Sequence, residues 1–138
     1  MSLVFEDLAA GSIGEAAAFY RRELGRDVDL RPDEQIVVAR EGHDVVAAVR
    51  LFPEASTMLL RTMVVARPLR GRGVGATLLR EFSKRIGARE CYCFPWTYLD
   101  GFYGSIGFRR IADAEVPAPL RHRLGTPGTI AMKRASPT

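Results

Sequence analysis

Three glycines at alternate positions, Gly71, Gly73 and Gly75, follow directly on a β-branched apolar run and constrain this chain more than any other feature. The run, residues 58–66, stops at Arg67-Pro68, and residues 64–76 read V-V-A-R-P-L-R-G-R-G-V-G-A before an amphipathic segment begins. That is the pattern of a strand, a tight turn and a helix start. Glycine admits positive φ and lets another molecule come close to the backbone, while the first turn of a helix carries unpaired N–H groups and partial positive charge. Arg70 and Arg72 add two mobile cations to the same loop. Fixed donors and cations converging on one spot predict an anion cradle, most simply for a phosphate or pyrophosphate.

Other readings of the glycines compete with this one. Gly71-x-Gly73-x-x-Ala76 also fits a relaxed dinucleotide fingerprint, and a glycine-rich turn is often only a turn. A Walker A loop is excluded because no Gly-Lys-Ser/Thr follows. A dinucleotide fold needs an acidic residue about 20 positions on, at the end of a second parallel strand. There the chain has Pro95, Trp96 and Thr97 with only Asp100 nearby, and several strand-like runs already precede the glycines.

At 138 residues the chain reads as one domain over residues 1–134, with residues 135–138 a disordered tail. A hydrophobic share of 47% and a charged share of 26% exclude disordered and fibrous classes. The net charge of +4 suits a polyanionic ligand and equally weak nucleic-acid binding, and a surplus this small is more often only a solvated surface. No apolar run reaches the ~18 residues of a membrane span, and Glu6 and Asp7 stand where a leader would be basic and then apolar, so the expectation is a cytoplasmic protein. Cys91 and Cys93 are the only cysteines. Their i, i+2 spacing in an apolar run puts both on one strand face, no partner set completes a zinc site, and they read as buried reduced thiols.

Taken in order, residues 3–5 form a short strand and Ser12 with Glu15 a capping box. Ile13, Ala16, Ala17, Tyr20 and Leu24 then recur at helical spacing up to Gly25. Residues 35–40 and 45–52 form an antiparallel hairpin across Glu41-Gly42-His43-Asp44, with His43 a solvated tip residue. Residues 53–56 turn into a third strand, 57–66, which delivers the chain to the glycine loop. Such a meander is not a doubly wound parallel sheet. After the loop, Val74, Leu78, Leu79, Phe82 and Ile86 make one apolar helix face, ended by Gly87. Residues 90–94 are a strand. Leu99, Phe102, Tyr103 and Ile106 have helical spacing capped by Gly107, with Phe108 packing back. Residues 109–112 and 129–133 are the closing strands, joined by a proline-rich loop over 115–128.

The order of elements, the V-V-A-R-P-L-R-G-R-G-V-G stretch and, some thirty residues on, F-Y-G-S-I-G-F resemble the GNAT superfamily of acetyl-CoA-dependent N-acetyltransferases. The resemblance covers residues 35–133. Arg70, Gly71, Arg72, Gly73, Val74 and Gly75 match its Arg/Gln-x-x-Gly-x-Gly/Ala motif, and Phe102, Tyr103, Gly107 and Phe108 its Phe-Tyr-x-x-x-Gly-Phe motif. It implies an α/β (α+β) fold, with a mixed, mostly antiparallel sheet flanked by helices on both faces. It also implies that the N–H groups from Gly71 to Ala76, by way of Gly73, Val74 and Gly75, hold the pyrophosphate of acetyl-CoA, aided by Arg70 and Arg72. Met63, Val64 and Val65 would lie along the pantetheine arm, in a wedge between strands 57–66 and 90–94. No metal is implied.

Tyr103 is the candidate general acid, placed to stabilise or protonate the departing thiolate; its competing reading is a core aromatic. Three departures stand out. Trp96 occupies the place, seven residues before Tyr103, where the family often has Asn. No carboxylate stands in residues 57–62, where it often has Glu, so the base is open among water, a backbone carbonyl, and Glu54 or Asp100 through water. The N-terminal region has one helix where two are common. Neither cysteine lies where the family motif puts catalysis, so a small-molecule or peptide amine would attack directly in a ternary complex. Arg121, His122 and Arg123 either line the acceptor site, favouring a carboxylate-bearing acceptor, or form a solvated basic loop. A CoA-binding sensor is the alternative function. Nucleic-acid and membrane partners are not expected, and a homodimer is left open.

Overall fold

The computed structural model describes residues 2–135, so the tail expected at 135–138 lies, after Ala135, outside the described residues. Its strands are β1 (Val4–Asp7), β2 (Gln35–Glu41), β3 (Asp44–Glu54), β4 (Thr57–Val65), β5 (Cys91–Cys93), β6 (Arg109–Ile111) and β7 (Ala131–Arg134). Its helices are α1 (Ile13–Leu24), α2 (Val74–Ile86) and α3 (Asp100–Gly104), joined by short 3-10 turns. One sheet runs in the order β1-β2-β3-β4-β5-β7-β6, and every neighbouring pair is antiparallel except β4 with β5. No helix among the described residues is long and apolar enough to cross a membrane.

Strand alternation sorts the apolar residues onto two faces, and each face receives a helix. Val37, Ala39, Val49 and Leu51 pack under Leu78, Leu79, Phe82 and Ile86 of α2. Their neighbours Ile36, Val38 and Ala48 point the other way, against Ala16, Phe19 and Tyr20 of α1. A third cluster covers the remaining part of the α1 face: Val116 and Leu120, from the connection between β6 and β7, seal Phe52, Leu59 and Tyr92.

Several local expectations differ from the structure. The capping box at Ser12 and Glu15 does not form. Ser12 has φ −108° and ψ 13°, away from the extended N-cap geometry, because a 3-10 turn leads into the helix. Glu15 instead accepts from Arg40 Nη1 at 2.7 Å, a charged donor that outcompetes a backbone N–H. The turn expected over 53–56 shrinks to Ala55 and Ser56, with φ 48° and 65°, since a two-residue loop of left-handed residues matches the twist of its strands. The helix expected from Leu99 to Ile106 holds its apolar spacing but is α-helical only over Asp100–Gly104. Gly101 and Gly104 weaken it, and its end tightens to i→i+3 bonds, with Ile106 N donating to Tyr103 O at 3.2 Å and Gly107 N to Gly104 O at 3.0 Å. The strand expected over 90–94 is hydrogen-bonded as such only at Cys91–Cys93, for a reason that creates the site.

β4 and β5 share a single bridge, Leu59 with Tyr92. Beyond it β5 stays with β7: Ile130 N donates to Pro95 O at 2.9 Å, Thr97 N donates to Gly128 O at 2.8 Å, and Trp96 bridges Thr129. β4 stays with β3. The two parallel strands therefore splay, and a bulge bends β4 at the point of parting. Ala48 opposes Val64 but Arg50 opposes Arg61, so Thr62 and Met63 together face one residue of β3. Thr62 has φ 50°, an expensive conformation for a β-branched residue.

Candidate active site

The glycine loop is built as an open set of donors. Gly71 and Gly73 both have φ 80°, in the left-handed region, and Gly73 is the N-cap of α2. From Gly71 through Arg72, Gly73, Val74 and Gly75 to Ala76, no N–H group donates to a described residue; the first bond of the helix is Thr77 N to Gly73 O at 3.1 Å. Those N–H groups and the positive end of α2 converge on solvent, as a pyrophosphate would require. Gly75 faces the loop's supports, where a Cβ would meet the Phe102 and Val65 side chains at 3.7 Å, an ordinary van der Waals contact. Of the two loop arginines, Arg72 is exposed, whereas Arg70 folds back and donates through Nε to Val65 O at 3.0 Å.

That bond also reveals the strand edge. Ala66 N donates to Val46 O on β3 at 2.8 Å, so by alternation the N–H and C=O of Val65 face the gap left by β5. Arg70 takes the carbonyl and leaves the Val65 N–H available to an extended ligand. Met63, Val64 and Val65 are all half-buried along this edge.

Where the strands part, a cavity of about 600 Å³ opens. On the α2 side its wall includes Met63, Cys93, Leu99 and Tyr103. Tyr103 is 7% exposed, its ring held edge-on by Phe102 and Phe108 at centroid distances of 5.1 and 6.3 Å. Its hydroxyl has no partner among the described residues except the Met63 thioether, 4.0 Å away. Burial pushes the phenol above its ordinary range, so it is protonated at neutral pH and serves as a donor, not a base. Cys93 also lines this wall, nearer the cavity than the sequence suggested. It is 2% exposed and burial raises its thiol well above the ordinary value, which leaves it protonated and a poor nucleophile.

On the α1 side the wall is cationic. Arg26, Arg61, His122 and Arg123 line it; Arg121 does not, because its Nε is spent on Val116 O at 3.0 Å. Arg123 and His122 both bind Glu54, at 2.6 and 2.9 Å. These bonds, with that to Arg123 foremost, pull the Glu54 carboxyl down to about 2, so Glu54 is a weak base already occupied by two donors. Asp100 is exposed and does not line the cavity. Because the folded value of Glu54 lies below the ordinary 4.5, the Glu54 carboxylate contributes stability that is full above the unfolded value and fades as pH falls toward about 2. Glu54→Gln should therefore cost about 1–2 kcal/mol at neutral pH. The gap to the parent should close on acidification, as urea unfolding at several pH values would show.

Sequence reasoning missed what holds the bulge. Tyr20 OH donates to Thr62 O at 2.7 Å and Arg50 Nη1 to Thr62 Oγ1 at 3.0 Å. Arg50, 2% exposed, is itself paired with the Glu34 carboxylate, whose side chain is fully buried, and donates to Asp29 O at 3.1 Å. The signal was present as a lone arginine inside the apolar run V-V-A-A-V-R-L-F, since a charge in such a run is buried and needs a partner.

Residues 32–110, more than half of the chain, match the family described as an acetyltransferase (GNAT) domain. An acyl-CoA N-acyltransferase from Pseudomonas aeruginosa superposes with a TM-score of 0.74 at 17% identity, covering 97% of this chain and 100% of that one. The N-acetylglutamate synthase of Neisseria gonorrhoeae, complexed with coenzyme A and N-acetyl-glutamate, superposes at 0.72 and 17% identity over 100% of this chain and 36% of that one. These likenesses are of fold. In sequence, a 4-diphosphocytidyl-2-C-methyl-D-erythritol kinase from Mannheimia succiniciproducens is 33% identical over 92 residues. That match takes in 66% of this chain but spans only 30% of the curated relative. A splayed β4–β5 pair, a donor-rich loop at the start of α2 and the match over residues 32–110 agree: the chain belongs to the GNAT acetyltransferase family, whose enzymes transfer an acyl group from acetyl-CoA.

Proposed function

We propose that this chain transfers the acetyl group of acetyl-CoA to a primary amine by direct attack within a ternary complex. The observation that carries the reading is the alignment of three features along one gap. Free N–H groups stand at its α2 end, an unpaired N–H at Val65 lies along its edge, and a protonated phenol reaches into its wall. The loop from Gly71 to Ala76 holds the pyrophosphate, with Arg72 as a mobile counter-ion. Met63, Val64 and Val65 flank the pantetheine. Arg70 braces the edge by its bond to Val65 instead of reaching outward.

The amine nitrogen attacks the thioester carbonyl carbon, a C–N bond forms and the C–S bond breaks. In net, one proton passes from the amine to the sulfur. Tyr103 donates its hydroxyl proton to the departing thiolate and is reprotonated from the proton the amine gives up. An alkylamine with a pKa near 10.4 arrives charged and must be deprotonated first. With Glu54 occupied and Asp100 outside the cavity, water and backbone carbonyls are left to do this. Cys93, protonated and buried, does not compete as an acyl carrier, which favours a single displacement.

The test is release of free coenzyme A from acetyl-CoA in the presence of a broad amine panel, beside direct titration of CoA. Binding with no turnover on any amine would make the chain a CoA-responsive module and sink the enzymatic reading. Gly73→Ala probes the cradle. Nothing crowds a Cβ there, so the cost is the left-handed φ, about 1–2 kcal/mol. The expected signature is a rise in KM for acetyl-CoA, with the acceptor KM little changed.

A further inference from the structure

Four guanidinium groups gather around the Phe52 ring, those of Arg31, Arg61, Arg50 and Arg123, with centroid distances of 4.3, 4.9, 5.2 and 5.9 Å. Three are neutralised: Arg31 by Asp33, Arg50 by Glu34 and Arg123 by Glu54. Arg61 alone makes no ion pair or side-chain hydrogen bond with any described residue, and it is the one of the four on β4 itself, one residue before the bulge. It lines the cavity on the face opposite Tyr103, sharing with Leu59 the side of the strand that carries Phe52. The two carboxylates that act on it, Glu54 and Glu34, are both already held, the first by Arg123 and His122 and the second by Arg50.

We propose that the cationic wall is the acceptor subsite and that Arg61 binds the carboxylate of the acceptor, so that the substrate is an amine that also bears a carboxylate. The proposal rests on the acetyl transfer argued above and adds its substrate class. A half-buried guanidinium without an anion is an unfavourable state that a carboxylate relieves, through two parallel N–H···O bonds. Desolvation, and after it repulsion from Arg123 and Arg50, presses Arg61 below its ordinary pKa; the charge of an incoming anion offsets both. The Phe52 ring, 4.9 Å from the Arg61 guanidinium, helps to hold that group in place. Bound there, the carboxylate places the amine toward the gap, across from the phenol.

The test compares matched acceptors: an amino acid, its carboxamide, and a phosphate-bearing amine of similar length. The amino acid should exceed its carboxamide in kcat/KM by about tenfold or more, and Arg61→Gln should abolish that preference through the acceptor KM while the KM for acetyl-CoA holds. Arg61→Lys should recover only part of it, because an ammonium lacks the fork. Equal use of acid and amide, or a preference that survives Arg61→Gln, would overturn the assignment; a phosphate-bearing amine outdoing the carboxylate would overturn the choice of anion. A second readout does not need turnover. Trp96 is the sole tryptophan and lines the same cavity, so its fluorescence should report saturable binding of an N-acetyl amino acid, and not of its amide, in an Arg61-dependent way. Such binding with no acetylation of any amine would retire the reaction and keep the subsite. Acetylation confined to carboxylate-free amines would do the reverse.

Discussion

Replacing Tyr103 by Phe should lower kcat about 10²-fold while leaving the folding free energy within about 0.5 kcal/mol of the parent. The asymmetry comes from the hydroxyl's surroundings. Its one hydrogen-bond partner among the described residues is the Met63 sulfur at 4.0 Å, a weak acceptor whose loss costs little, and the ring's edge-on contacts with Phe102 and Phe108 survive in Phe. A tyrosine that only fills the core would lose nothing when its oxygen is removed. If the thiolate must collect a proton or a hydrogen bond as the C–S bond breaks, the loss falls on kcat and leaves both KM values nearly unchanged. A Phe variant with parental turnover would return Tyr103 to the core.

The largest effect on stability should come from Glu34→Ala, which strands the Arg50 guanidinium at 2% exposure. Removing one partner of a buried pair costs about 3–5 kcal/mol, or a fall in Tm of about 10–20 °C for a domain of this size. Thermal unfolding of the variant with and without acetyl-CoA measures it. Replacing both partners with apolar residues, Glu34→Leu with Arg50→Met, should restore most of the stability, since the buried charge is then gone. It should not restore activity. The bond to Thr62 Oγ1 goes with Arg50, and the left-handed Thr62 at the bend of β4 keeps the tie from Tyr20 as the one that remains of the two. A double variant that is both stable and fully active would show that the bulge is self-supporting.

The contrast between these two sites tracks what a linear sequence displays. The donor loop is legible because every part of it is local: apolar run, Pro68, alternating glycines, helix face. The placement of Tyr103 in the cavity wall is legible for the same reason, through its neighbours Phe102, Gly107 and Phe108, although the shortness of α3 shows that apolar spacing survives where helical hydrogen bonding does not. The bulge is not local. Its restraints come from Tyr20, 42 residues away, and from Arg50, 12 residues away on another strand. The cationic wall is hidden for a similar reason. Arg121, His122 and Arg123 are adjacent in sequence, yet the first turns to a backbone carbonyl and the other two are spent on Glu54, 68 and 69 residues away. Arg61, which makes no ion pair with any described residue, stands on the strand where the expected carboxylate was sought and not found.

The interior placement of the two sulfhydryls has a practical side. Cys91 is fully buried and its pKa is pushed up to about 12, and Cys93 is shielded to a similar degree. A chromogenic disulfide added to the folded protein should find nothing to react with on the timescale of an assay. Colour that develops continuously under native conditions then counts turnover alone, and a stoichiometric burst on adding denaturant would register the same pair being laid open as the fold comes apart.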